Sequence, residues 1–136
     1  MEGEFSGGCH CGQVRYLIKG RVLNGVNCHC SICRKANGGA FSSYLVVPEE
    51  AFEIVLGQDL LTRYALSEEG EKHFCRICGS AVFNRNQRYP GVTIVHLGSL
   101  DAVETFSPTI NMFCESRLPW VVFSDGSLCY EKGITK

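Results

Sequence analysis

The sequence predicts an all-β domain, on three observations: short runs of β-prone residues, frequent turn residues between them, and no long apolar pattern of helical period. In chain order, Val14, Tyr16 and Ile18 alternate with Arg15, Leu17 and Lys19, the period of two that places one set on each face of a strand. Cys-rich sequence then leads into Ser31 to Ala36, where a helical turn is expected. Further strands are expected at Ser43 to Val47, Phe52 to Leu56, Leu61 to Ala65, Ala81 to Phe83 and Val92 to Leu97. A second helical turn is expected around Leu100 to Thr105, followed by strands at Val121 to Phe123 and Leu128 to Tyr130. Gly20, Asn24-Gly25, Gly38-Gly39, Pro48, Gly57, Gly70, Pro90-Gly91, Asp101 and Asp125-Gly126 punctuate these runs, and fifteen glycines suit so many turns.

At 136 residues the chain is sized for one domain spanning 1–136. Its net charge of -1 lacks the basic excess of a nucleic-acid-binding surface. No apolar run reaches the roughly 18 residues of a membrane span, so no membrane partner is expected. The start, Met1-Glu2-Gly3-Glu4-Phe5, lacks the basic and apolar segments of a secretory leader, which makes the cytoplasm the expected location.

Nine cysteines stand out. A reducing compartment disfavours lasting disulfides, and seven of the nine fall in tight groups: Cys9 and Cys11; Cys28, Cys30 and Cys33; Cys75 and Cys78. Bridges between such near neighbours are usually strained, whereas a soft metal ion gathers close sulfurs at about 2.3 Å. A thioredoxin-like redox pair would need a helix after Cys78, and none is patterned there. A closed structural zinc site uses four protein ligands, and a catalytic one uses three with a position left open. Seven thiols therefore divide as four plus three. Either Cys28, Cys30 and Cys33 stay together, leaving Cys9, Cys11, Cys75 and Cys78 as a tetrad, or Cys9 and Cys11 pair with Cys28 and Cys30. The two isolated cysteines, Cys114 and Cys129, read as small buried hydrophobes, with Cys114 a less favoured fourth ligand for the trio.

Gly8-Cys9-His10-Cys11-Gly12, Cys28-His29-Cys30-Ser31-Ile32-Cys33-Arg34-Lys35 and Phe74-Cys75-Arg76-Ile77-Cys78-Gly79-Ser80 resemble the glutathione-dependent formaldehyde-activating enzyme family, to which a domain of centromere protein V is related. Gly39-Ala40-Phe41, Pro90-Gly91-Val92 and Pro119-Trp120 extend the resemblance over about residues 7–123. It implies a β-tent fold of coiled antiparallel sheets around a structural zinc held by Cys9, Cys11, Cys75 and Cys78. It also implies a second zinc site at Cys28, Cys30 and Cys33, which become the catalytic residues. The implied reaction is a carbon-sulfur lyase reaction run in the condensing direction, adding a glutathione thiol (or another small thiol) to formaldehyde or a similar aldehyde. The rival expectation is a non-catalytic module in which zinc only holds the β-domain together.

A sulfur-rich anionic site favours nearby cations, so Arg34 and Lys35 are candidates to bind substrate carboxylates, against the plainer alternative of solvated charges. Phe41 is a candidate pocket wall, and Tyr44 either wall or core. His29 should point away from Cys28 and Cys30 on extended backbone, as a group behind the ligands or a packed ring. His10 and His73 are expected to be structural, His96 a hydrogen-bonded core ring, and Trp120 a core or rim anchor. Glu115, Asp101 and Asp125 have no partner legible in the sequence.

Overall fold

The structure, a computed structural model, describes residues 2–133. Among them are eleven strands and one α-helix, with short 3-10 turns between. The chain opens with β1 (Glu2–Gly8) and β2 (Arg15–Arg21), an antiparallel pair in full seven-residue register. It continues through β3 (Asn24–Cys28), α1 (Ser31–Asn37), β4 (Ser42–Pro48) and β5 (Phe52–Leu56). Then come β6 (Leu61–Ala65), β7 (Gly70–Cys75), β8 (Ala81–Asn86) and β9 (Val92–His96). Two short strands, β10 (Ile110–Met112) and β11 (Leu128–Cys129), complete the order. The architecture is mainly β, as the alternating runs predict.

The strands form two sheets, β1-β2-β5 and β11-β10-β3-β4-β9-β8-β7-β6. Most pairs are antiparallel, but β10 runs parallel to both β3 and β11. The main core lies between the sheets. Val14, just before β2, and Tyr16 and Ile18 within it are all at most 1% exposed and meet Leu45, Val47, Val82 and Val95. Each such aliphatic side chain contributes about 1.5–3 kcal/mol by leaving water. Tyr16 keeps its phenol satisfied by a 2.6 Å hydrogen bond to Ser99 Oγ. Asp101, for which the sequence showed no partner, accepts from Ser6 Oγ at 2.7 Å and pairs with Arg15, so the loop after β9 is fastened to the smaller sheet. The Arg15 hydrogen bond, then that of Ser6, lowers the Asp101 pKa.

A second, smaller core sits on the opposite face of the large sheet, where α1 packs. It comprises Val26, Cys28, Cys33 and Tyr44. Strand register explains the grouping: Val26 stands opposite Tyr44 and Cys28 opposite Ser42, so the sulfur of Cys28 and the ring of Tyr44 share a face. Among the described residues no helix is long and apolar enough to cross a membrane.

Four expectations are corrected. Asn24-Gly25 lies within β3 rather than at a turn, because neighbouring β4 supplies the pairing that the local sequence does not favour. Val121 to Phe123 is not a strand, and Trp120 beside it is 70% exposed rather than a core anchor. The expected helical turn at Leu100 to Thr105 is a 3-10 turn at Val103–Thr105. Cys114 and Cys129 are joined by a disulfide, and Cys129 is exposed, so they do not act as two buried hydrophobes. Register brings them together, since Asn111 pairs with Cys129 and Cys114 follows directly after β10.

Candidate metal centres

The first sulfur group is built by two loops that belong to different sheets. Cys9 and Cys11 lie in the turn between β1 and β2, while Cys75 ends β7 and Cys78 lies in the turn leading to β8. That second turn closes by a 2.8 Å bond from Gly79 N–H to the Cys75 carbonyl, with Gly79 at φ 78°. An L side chain there would be strained, which explains a glycine immediately after the cysteine. The four sulfurs all lie within 4.8 Å of one another, with Cys9–Cys11 at 3.5 Å and Cys11–Cys75 at 3.8 Å. Four sulfurs bound tetrahedrally to one zinc at about 2.3 Å stand about 3.8 Å apart, so this donor set fits zinc. Ser80 supports it: its hydroxyl lies 3.2 Å from Cys78 Sγ and, together with its backbone N–H, holds the Cys78 thiol down to about 5.

The second group lies at the end of β3 and the start of α1. Cys30 is the N-cap of the helix, its Sγ accepting the Cys33 N–H at 3.3 Å, and Gly38 ends the helix in the left-handed region at φ 74°. Seven residues of helix between two such stops fix Cys30 and Cys33 on one turn, facing Cys28. The three sulfurs lie within 4.8 Å of one another, with Cys28 and Cys33 buried and Cys30 half-buried. Hydrogen bonds from Cys28, then Cys33, pull the Cys30 thiol down to about 2 against the effect of burial. Cys28 is pushed strongly up by hydrogen bonding with Cys30, then Cys33, and by burial. The sharing of one charge among three close sulfurs is the behaviour of a cation-seeking site. Cys114, the expected alternative fourth ligand, is bonded to Cys129.

The remaining predicted residues fall around this trio. Arg34 Nη1 donates to the carbonyls of His29 and Ser116, both at 2.6 Å, and so ties the trio's backbone to the segment after β10. Lys35 is exposed and lines a groove of about 460 Å³ along the outside of α1, with Ser31, Tyr64 and Lys72. Phe41 borders a cleft of about 440 Å³ that reaches from Cys9 and Ser80, beside the tetrad, to Asn37 and Ser42, beside the trio, with His96 on its wall.

His29 points to the face away from the trio. Its ring packs between Phe41 and Phe123, with centroids 5.0 Å from each, and it is 1% exposed. Asn111 gives its Nδ2 to the Leu128 carbonyl, which leaves Oδ1 to accept from His29 Nε2 at 3.1 Å. His29 is therefore the Nε2–H tautomer, and its buried Nδ1 has no hydrogen-bond partner among the described residues. His73 stacks on Phe83 at 4.2 Å and bonds Glu71, while His10 is exposed. His96 is a buried ring bonded to Asn84 Oδ1 at 2.8 Å, and burial lowers its pKa to about 4.

Two features escaped the sequence reading. One is the polar row from Ser43 through Asn27 and Asn111 to His29, whose members come together through the antiparallel β3–β4 and the parallel β3–β10 pairings. The other is Tyr44, whose hydroxyl lies 3.1 Å from Cys33 Sγ. The β-prone run Ser43 to Val47 put Tyr44 on a strand, as wall or core, without showing what its hydroxyl meets.

Comparison with known proteins gives this geometry a family. The model of the glutathione-dependent formaldehyde-activating enzyme family matches residues 4–116. The chain belongs to that family. A Halomonas elongata protein named "Putative glutathione-dependent formaldehyde-activating enzyme" is 30% identical over 122 residues, covering 85% of this chain and 78% of that protein. A Rhodobacter sphaeroides crystal structure shares the fold, with a TM-score of 0.60 and 22% identity over 92% of this chain and 98% of its own. Membership supports an enzymatic role in glutathione and formaldehyde chemistry. The three cysteine groups that carried the resemblance are those that the fold gathers into two donor sets.

Proposed function

We propose that the protein is a zinc-dependent carbon-sulfur lyase of the S-(hydroxymethyl)glutathione synthase type, joining glutathione or another small thiol to formaldehyde or a related small aldehyde. The observation that carries this reading is the trio itself: Cys28, Cys30 and Cys33 gather three sulfurs within 4.8 Å, and Cys114, the alternative fourth ligand weighed from the sequence, is bonded to Cys129. Cys28, Cys30 and Cys33 would hold zinc through three thiolates, and zinc so held would supply an open position able to lower the pKa of an exogenous thiol below its free value of about 8.5.

The chain's own residues then serve to orient and enclose. α1 holds Cys30 and Cys33 on one turn, and Arg34 keeps the His29 carbonyl, between Cys28 and Cys30, from shifting. The cleft bordered by Phe41 and Asn37 has room for the body of a small peptide-like thiol, while Lys35, an exposed cation that could take a carboxylate, lies on the separate groove outside α1. Holding thiol and aldehyde together supplies much of the acceleration. In the reaction the sulfur forms a bond to the carbonyl carbon and the aldehyde oxygen takes up one proton. No electron acceptor is needed. The seven thiols outside the disulfide suit a reducing cytoplasm as the working location, with the Cys114–Cys129 bond the feature that departs from it.

Exchange NMR on an equilibrium mixture of glutathione and formaldehyde tests the activity, because the two also combine without help. Zinc-loaded protein should raise the interconversion rate, and Cys30→Ser should return it to the uncatalysed value. Rates unchanged by the protein would leave a zinc-stabilised binding module, for which the tetrad joining the sheets is sufficient. Metal content gives an independent separation: a second, exchangeable zinc accompanies the enzyme, and a single tightly held zinc the module.

A further inference from the structure

A trio of thiolates poses a selectivity problem that the proposed reaction makes acute. The aldehyde is an electrophile, and the protein's own sulfurs compete with the incoming thiol for it. The three sulfurs are not equally protected. Cys28 is 4% exposed, and Cys30 already accepts the Cys33 N–H at the head of α1. Cys33, 9% exposed, meets no backbone N–H at its sulfur among the described residues, but Tyr44 Oη lies 3.1 Å away in a buried contact.

The direction of that hydrogen bond follows from its surroundings. Asn37 Nδ2 donates to Tyr44 Oη at 3.5 Å and to Ser42 Oγ at 2.7 Å, so the phenol oxygen is already serving as an acceptor. A metal-bound Cys33 carries no proton to give. Tyr44 therefore points its single proton at the sulfur. The ring has little freedom to turn: Tyr44 is 3% exposed, its strand is hydrogen-bonded on both sides, and His96 meets it edge-on at a centroid distance of 5.0 Å.

We propose that Tyr44 is a positioning residue of the trio centre whose hydroxyl, aimed by the Asn37 amide, masks the Cys33 thiolate, so that the aldehyde meets the incoming thiol rather than the protein's own sulfur. A donor to a metal-bound thiolate withdraws electron density from the sulfur lone pair. The sulfur becomes a poorer nucleophile while remaining a ligand. Asn37 also borders the cleft, so the mask is anchored beside the space assigned to the substrate. The inference rests on the reading that the trio holds a metal.

Two readouts test it in metal-loaded protein, neither of them turnover. The first is site-resolved alkylation by iodoacetamide, in which the sulfur forms a bond to carbon and iodide leaves. Tyr44→Phe should raise the modification rate at Cys33 about ten-fold, with Cys28 and Cys30 within about two-fold of wild type. The second is the sulfur-to-metal charge-transfer absorption of cobalt-substituted protein, which should move to longer wavelength in Tyr44→Phe as the sulfur lone pair rises in energy. Asn37→Ala, altered at the exposed end of α1, should shift both readouts the same way by a smaller factor. It decides alone if Tyr44→Phe loses the trio metal. Cys33 reactivity and band position unchanged in a metal-retaining variant would overturn the masking role. Absence of a trio band from wild-type protein would instead overturn the metal reading on which it rests.

Discussion

The tetrad draws together loops of the two sheets that are far apart in the chain, and its removal should be costly. Cys11 and Cys75 are 64 positions apart. Closing a loop of that size restricts the unfolded chain by about 4 kcal/mol on the usual cross-link relation. For a domain of ordinary stability, about 5–15 kcal/mol, that is a large share. Cys75→Ser removes one of the two sulfurs on the far side of the clip, at a residue that is fully buried. The melting temperature should fall by about 15 °C, taking roughly 4 °C per kcal/mol for a chain of this length. The internal control is Cys30→Ser in the trio, where the outer ligands Cys28 and Cys33 lie on one short stretch. The same relation gives about 2 kcal/mol there, and about half the shift. Circular dichroism melts of the zinc-loaded proteins measure both. Equal shifts for the two variants, or a Cys75→Ser protein melting within a few degrees of wild type, would refute the claim that the tetrad clips the sheets together.

Other outcomes follow from single contacts. His96 has a pKa near 4 when folded and about 6.5 when unfolded, so between those values the unfolded chain binds the extra proton. Its contribution is complete above about pH 6.5 and is lost as pH falls toward 4, by about 3 kcal/mol in all; denaturant titrations should show a shallower acid loss for His96→Gln than for wild type. Asp101→Asn should cost about 1 kcal/mol by weakening the tie to Arg15 and Ser6, and the cost should shrink in high salt. Chelated, denatured protein alkylated without reductant should take up seven labels, and nine after reduction. Nine labels without reductant would contradict the Cys114–Cys129 bond.

What the sequence showed and what it hid divide along a physical line. The cysteine spacing exposed both donor sets because ligands two or three residues apart must share a turn, whatever the rest of the chain does. Alternation along β2 likewise announced its buried face. By contrast, β1 with its glycines and glutamates and β7 with Glu71, Lys72 and His73 are strands because neighbours pair with them, and composition does not reveal partners. The Cys114–Cys129 bond was hidden for the same reason: it depends on β11 returning beside β10. So did the Asp101–Arg15 pair, 86 positions apart, and the contact between Tyr44 and Cys33. Local chemistry was legible, and contacts made by long-range pairing were not.

The account turns on whether the trio's metal accepts an outside sulfur. Zinc-edge X-ray absorption on fully loaded protein, before and after adding glutathione, addresses that directly. With a four-sulfur tetrad and a three-sulfur trio, the mean sulfur count per zinc should rise from about 3.5 to about 4. A count that stays put at saturating glutathione would contradict the proposal that the thiol is activated at Cys28, Cys30 and Cys33.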